Sequence, residues 1–103
     1  MLGAVQYYAD AEGGTYVEDP AHADLVQLIV DLDHASNTFV VLYPGDDNRD
    51  WFISVATRRG VLGGYEIERH DRDTDPGQAH PAKTTAAVPA DIATDVLDWI
   101  SHR

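Results

Sequence analysis

The feature that most constrains the fold is the stretch Thr38–Arg69, which holds three apolar runs separated by two short polar breaks. The runs are Thr38–Tyr43, Trp51–Ala56 and Val61–Glu68, and the breaks are Pro44–Asn48 and Arg58–Gly60. Runs rich in β-branched and aromatic residues, bounded by Gly, Pro, Asn and Asp, are typical of strands joined by hairpins. The sequence therefore predicts a three-stranded antiparallel meander.

The residues before the meander predict a hairpin and a helix. Leu2–Tyr8 has the composition of a strand, Asp10–Gly14 that of a turn, and Thr15–Glu18 that of a short second strand. Asp19 and Pro20 then predict the start of a helix, because Asp is a favoured N-cap and Pro is favoured at the first helical position.

The helix, predicted over Pro20–Leu32, is amphipathic. Its apolar residues recur at helical spacing, which predicts one face packed on the sheet. The members of that face are Leu25, Leu28, Ile29 and Leu32, with Val26 and Val30 widening it.

The residues after the meander predict a loop, a short strand and a second helix. Arg69–Ala82 is polar and has no apolar periodicity, so we expect an exposed, mobile loop. Lys83–Ala87 predicts a short strand, and Val88-Pro89 opens a helix with Pro in its first turn. The buried stripe of this helix is predicted to be Ile92, Val96, Leu97, Trp99 and Ile100. The order predicts an α+β fold: an antiparallel sheet, made of the central three-stranded meander plus N-terminal strands, with two helices packed on one face.

Length and composition predict a single domain, residues 1–103, large enough to form one core. The chain has no cysteine, which excludes disulfides, thiolate metal sites and a cysteine nucleophile. No apolar run approaches the roughly 18 residues that a membrane helix needs, and the N-terminus lacks the pattern of a signal peptide. These observations predict a cytoplasmic protein without a membrane partner.

Charge is the most informative bulk property. The chain has 18 acidic and 7 basic side chains, a formal net charge of −11. The charge is uneven, because residues 1–50 carry −9 and residues 51–103 carry −2. Nucleic acid and anionic membranes would repel such a chain, whereas a basic protein would be attracted to it. Solubility alone is the simpler explanation of the same acidity.

Three groups of residues have the types needed for chemistry, and each has a simpler interpretation. Glu66, Glu68 and His70 alternate onto one face of the third meander strand, which suits a carboxylate-based hydrolase or a hard-metal site but also an ordinary solvated face. Asp46–Asp50 imitates the first half of a calcium loop and then departs from it, since Trp51 replaces the required Gly. The loop from His70 to His80 has metal-ligand types without a recognised spacing. We therefore predict no catalytic, metal or cofactor residues and no enzymatic activity.

Aromatic residues are the remaining signal. The nine aromatic residues exceed what one covered sheet face can bury in a domain of this size, so some rings should lie on the uncovered face beside acidic side chains. Exposed Tyr and Trp are favoured interface anchors, although aromatic residues also favour strands for their own sake.

Three segments together resemble a family, the actinobacterial Imm-one type immunity proteins of polymorphic toxin systems. They are AVQYY with the helix after it, WFISVATRRGVLGGYEIE, and AAVPADIATDVLDWI. The resemblance implies an acidic α+β protein that neutralises a cognate secreted toxin, often a nucleic-acid deaminase or nuclease, by covering its active-site or substrate groove. The implied partner is that toxin, with the chain a monomer or homodimer when free.

The contact residues are predicted from charge and strand alternation, because the resemblance supplies no residue-level motif. They are Asp46, Asp47, Asp50, Trp51, Glu66 and Glu68. The main alternative function is an acidic adaptor or regulatory interaction module unrelated to toxins. A small hydrolase using Glu66, Glu68 and His70 is a third.

Overall fold

The computed structural model describes residues 5–59, 63–78 and 82–103. It shows an α+β fold with six strands and two helices. The strands are β1 (Tyr7–Ala11), β2 (Tyr16–Glu18), β3 (Phe39–Pro44), β4 (Trp51–Thr57), β5 (Tyr65–Asp71) and β6 (Ala82–Ala86); the helices are α1 (His22–Val30) and α2 (Pro89–Ser101). The strands form one open antiparallel sheet in the order β2-β1-β3-β4-β5-β6. The predicted meander is therefore confirmed as β3–β4–β5.

Both helices pack on one face of the sheet and share a single core with it. The fully buried side chains alternate along the strands, as a half-covered sheet requires. The core consists of Ala9, Ala11, Val40, Leu42, Trp51, Ile53, Val55 and Ile67 from the sheet, with Leu25, Leu28, Ile29, Leu32, Ile92, Ala93, Val96 and Ile100 from the helical side. Among the described residues, no helix is long and apolar enough to cross a membrane.

The N-terminal hairpin lies further along the chain than predicted. β1 starts at Tyr7 and includes Asp10 and Ala11, which the sequence pattern assigned to a turn; Leu2–Ala4 lie outside the described residues. The shift follows from packing, since Ala9 and Ala11 are the residues buried under the helices. The turn is closed by the hydrogen bond from the Ala11 N–H to the Thr15 carbonyl, 2.9 Å long.

The start of α1 also differs from the prediction. Asp19 does not cap the helix: its φ is +45°, and its carboxylate accepts hydrogen bonds from the N–H groups of Gln6 and Tyr7 at 3.0 and 3.1 Å. The helix begins at His22, and Asp24 accepts the Ala21 N–H at 3.0 Å. The carboxylate thus fixes the N-terminal strand instead of the helix.

The predicted apolar face of α1 is otherwise correct, with one exception. Leu25, Leu28 and Ile29 are buried, whereas Val30, predicted to widen the face, is 53% exposed. α1 ends at Val30 and not at Leu32, and Leu32 is buried after the helix has ended.

The region after the meander is more structured than predicted. β5 continues through Arg69 and His70 to Asp71, where a loop was expected, and β6 pairs with it from Ala82. The predicted first residues of the third strand, Val61 and Leu62, lie outside the described residues.

The extension of β5 has a physical cause in Asp71, which is 7% exposed and fixes the turn that follows. Its carboxylate accepts the N–H groups of Asp73 and Thr74, each at 3.1 Å.

Candidate functional site

The face of the sheet opposite the helices is uncovered and carries an aromatic row. We define the open face as the strand side chains pointing away from the helices: Tyr8, Asp10, Tyr16, Glu18, Phe39, Val41, Tyr43, Phe52, Ser54, Ala56, Glu66, Glu68, His70, Lys83 and Thr85. Rings on neighbouring strands meet directly. Tyr8 and Tyr43 are paired in register, with ring centroids 3.9 Å apart, and the Phe52 and His70 rings stack at 4.9 Å. The open face therefore presents apolar ring surface that no element of the described chain covers.

Desolvation and, to a smaller extent, neighbouring acids raise the pKa of two of these tyrosines. Burial, followed by the neighbouring Tyr8 and Asp10, raises the pKa of Tyr43 to about 12. The pKa of Tyr16 is also raised, by desolvation and then by the charge of Glu18. Desolvation disfavours a charge of either sign, so only the smaller contributions of Asp10 and Glu18 to these shifts report the acidic surroundings.

The β3–β4 turn places three predicted acidic residues at the end of the aromatic row. Asp46, Asp47 and Asp50 are exposed, and they line a shallow depression of about 490 Å³ together with the rings of Tyr8, Tyr43 and Phe52. The structure thus brings this acidic group and the aromatic row into one surface.

Two contacts fix the geometry of that acidic turn. The Asp50 carboxylate lies 3.2 Å from His70 Nε2, and Asp46 accepts the Asn48 N–H at 2.9 Å. Asp47 makes no side-chain hydrogen bond within the described part of the chain. In the described structure, the charge of Asp47 therefore stabilises no turn or strand through a side-chain hydrogen bond.

Glu66 and Glu68 lie on the same open face but outside the depression. In register, Glu66 is opposite Ala56 and Thr85, and Glu68 is opposite Ser54 and Lys83. The nearest base is Lys83, whose Nζ is 3.9 Å from the Glu66 carboxylate. Both side chains of this pair are substantially exposed, so it contributes little to stability.

Trp51 differs from the other five predicted contact residues, because its side chain belongs to the core. It is 5% exposed, and its ring meets that of Trp99 on α2 at 5.7 Å. Strand alternation accounts for this placement: Trp51 shares its face with Ile53 and Val55, which are fully buried. We therefore assign the Trp51 ring to packing, although the residue also borders the depression.

In the part of the chain that the structure describes, the geometry does not assemble the metal sites that the residue types suggested. Within residues 5–59, 63–78 and 82–103, no group of three or more His, Asp or Glu side chains is arranged to hold an ion. In the loop after β5, Asp73 pairs with Arg49 at 2.8 Å; His80 lies outside the described residues. The Asp73 carboxylate is thus committed to an ion pair.

Sequence reasoning missed the part of the open face contributed by β1 and β2. Tyr8, Tyr16, Asp10 and Glu18 were not among the predicted contacts, because the predicted first strand ended at Tyr8 and Asp10 was assigned to the turn after it. The signal was present in the alternation of Tyr8 with Ala9 and of Asp10 with Ala11, which separates large or charged residues from small ones.

Comparisons with models of protein families, with curated proteins and with solved structures find no match to this chain.

Proposed function

We propose that this chain is an immunity protein, which binds a cognate secreted toxin and neutralises it by covering a basic active-site or substrate groove with the open face. The observation that carries the proposal is the open face itself: one side of a six-stranded sheet, uncovered by the described chain, combines aromatic rings with acidic side chains. Aromatic anchors inside a polar rim are the usual composition of a protein interface.

Charge supports a basic partner. A toxin that acts on nucleic acid needs Lys and Arg along its groove to neutralise phosphates. The chain carries −11, and the acids of the β3–β4 turn and of β5 lie on or beside the open face. Complementary potentials speed association and suppress wrong partners, which suits an inhibitor that must act before the toxin does.

The resemblance to immunity proteins supports the same function independently of charge. The segments that carry the resemblance include β4 and β5, two strands of the sheet, and α2, one of the two helices that cover it. An acidic adaptor with another basic partner would use the same surface, so the identity of the partner is what the experiment must decide.

The test is co-expression with the protein encoded immediately upstream, followed by co-purification over a salt series. We expect a tight complex, rescue of growth from the toxin, and association that slows steeply as salt rises. Absence of both complex and rescue would refute the immunity function.

Charge reversal then tests the face. Asp47→Lys and Glu68→Lys remove charges that make no hydrogen bond in the described structure, and Asp95→Lys on the exposed side of α2 is the matched control. We expect each open-face variant to associate about tenfold more slowly at low salt, with Asp95→Lys close to the native rate. Equal rates for all three variants would exclude the open face as the docking surface.

A further inference from the structure

The corner of the open face formed by β1, β2 and β3 carries three tyrosines, one of which contacts the other two. We call Tyr8, Tyr16 and Tyr43 the tyrosine cluster. The Tyr8 ring lies at the centre, with its centroid 5.4 Å from that of Tyr16 and 3.9 Å from that of Tyr43. Tyr16 is 52% exposed, on a three-residue strand at the edge of the sheet. Ring faces are therefore accessible to a side chain approaching from solvent.

Two carboxylates flank the cluster. Asp10 is the register partner of Tyr16, and its carboxylate accepts a long hydrogen bond of 3.5 Å from the Tyr43 hydroxyl. Glu18 is the register partner of Tyr8. Both acids are exposed, and neither is within ion-pair distance of a base in the described chain. The cluster thus combines negative ring faces with uncompensated negative charge.

This combination selects the chemistry of the occupant. A cation over an aromatic ring is attracted by the ring quadrupole, and arginine is the cation most often found there. A guanidinium is flat, so it can stack on a ring while its N–H groups donate to a carboxylate in the same plane. A lysine ammonium is a compact, strongly hydrated charge and cannot do both as well.

We propose that the tyrosine cluster, with Asp10 and Glu18, binds an arginine side chain of the partner protein. The proposal rests on the proposed function for the identity of that partner, but the recognition of arginine depends only on the residues of this chain. The arginine supplies an anchor on β1–β3, while the acids of the β3–β4 turn act at longer range.

The direct test uses the peptide acetyl-Gly-Arg-Gly-amide with the native chain, followed by NMR of the tyrosine ring protons. The citrulline peptide keeps the shape without the charge, and the lysine peptide keeps the charge without the planar group. We expect saturable shifts confined to Tyr8, Tyr16 and Tyr43 with arginine, and about three- to tenfold weaker binding with lysine or citrulline. Equal binding of the citrulline peptide, or shifts elsewhere only, would overturn the site; equal binding of the lysine peptide would overturn the assignment to arginine.

Variants connect the site to the partner. Tyr16→Leu removes an exposed ring and Asp10→Asn removes a charge, and Asp95→Asn on α2 is the matched control. We expect the first two variants to weaken both the binding of the arginine peptide and the complex with the toxin, and we expect Asp95→Asn to change neither.

The two proposals fail in different ways. A complex with the upstream protein that ignores Tyr16→Leu and Asp10→Asn would overturn the arginine site and leave the immunity function standing. Specific binding of the arginine peptide without a complex with the upstream protein would overturn the immunity function and leave the arginine site standing.

Discussion

Replacing Asp71 by asparagine should destabilise the fold through one buried contact. The Asp71 carboxylate, at the end of β5, lies 3.0 Å from an Arg103 guanidinium nitrogen after α2 and also accepts the Thr74 hydroxyl. The same guanidinium lies 3.9 Å above the Trp99 ring. The side chains of Asp71 and Arg103 are 10% and 16% exposed. One charge pair therefore joins the sheet, the following turn and the last helix.

The expected cost follows from what the substitution removes. Asparagine keeps an oxygen that accepts the two backbone N–H groups of the turn, but its amide nitrogen takes the place of the oxygen that faces Thr74 and Arg103. Asp71→Asn therefore removes the charge together with the acceptor of those two contacts. Removing one partner of a buried ion pair costs about 3–5 kcal/mol. Arg103 remains partly exposed and its buried Nε has no hydrogen-bond partner in the described structure, so the native pair is incompletely compensated. We therefore expect a lower value, about 2 kcal/mol.

The assay is urea unfolding at pH 7, with a double-mutant cycle against Arg103→Met, which keeps apolar contact with Trp99. We expect the midpoint to fall without a change in slope, and a coupling between Asp71 and Arg103 of about 1–2 kcal/mol. An Asp71→Asn variant within about 0.5 kcal/mol of the native chain, or a coupling near zero, would refute the role given to this pair.

Two further outcomes follow from the same structure. Burial alone would raise the pKa of Asp71, but the Thr74 hydrogen bonds and then Arg103 lower it overall. The stabilisation from this carboxylate is therefore complete above the pKa of the unfolded state and is lost as pH falls through the pKa of the folded state. Acid unfolding below about pH 4, measured by circular dichroism, should be shallower in Asp71→Asn, and identical curves would contradict this. A Cβ on Gly45 would lie 2.0 Å from the Val5 carbonyl oxygen, whereas one on Gly77 meets only a side-chain atom at 3.8 Å. Thermal unfolding should therefore show Gly45→Ala destabilised by about 1–3 kcal/mol and Gly77→Ala nearly unchanged. Equal effects of the two substitutions would contradict this prediction.

The sequence predicts the sheet well where side-chain size separates the two faces. β4 reads Trp51-Phe52-Ile53-Ser54-Val55, and its burial alternates as this pattern implies. α2 begins after Val88 with Pro89 in its first turn, as predicted, because proline has no N–H and the N–H groups of the first turn have no partner within the helix. Local chemistry decides both cases.

Other features could not be predicted because a distant group decides them. Asp19 has the type and position of an N-cap, yet two N–H groups of the N-terminal strand claim its carboxylate. Trp51 is a different case, because the alternation of β4 with Ile53 and Val55 already indicated a buried side chain and the predicted contact set overlooked it. Asp71 was predicted to lie in a loop, but in the folded chain its carboxylate pairs with Arg103, which follows α2.

The position of the tyrosine cluster has a consequence for folding. In the order of the described strands, β1 and β3 are neighbours although β2 and α1 separate them along the chain, and Tyr43 bonds to Asp10 across 33 positions. Closing such a loop costs more entropy than closing the short hairpins of the meander. The cluster spans this seam, so a chain that has formed only the meander displays acidic residues without the complete set of rings. The proposed recognition of arginine would thereby be restricted to molecules that have finished folding, because only they present the complete tyrosine cluster.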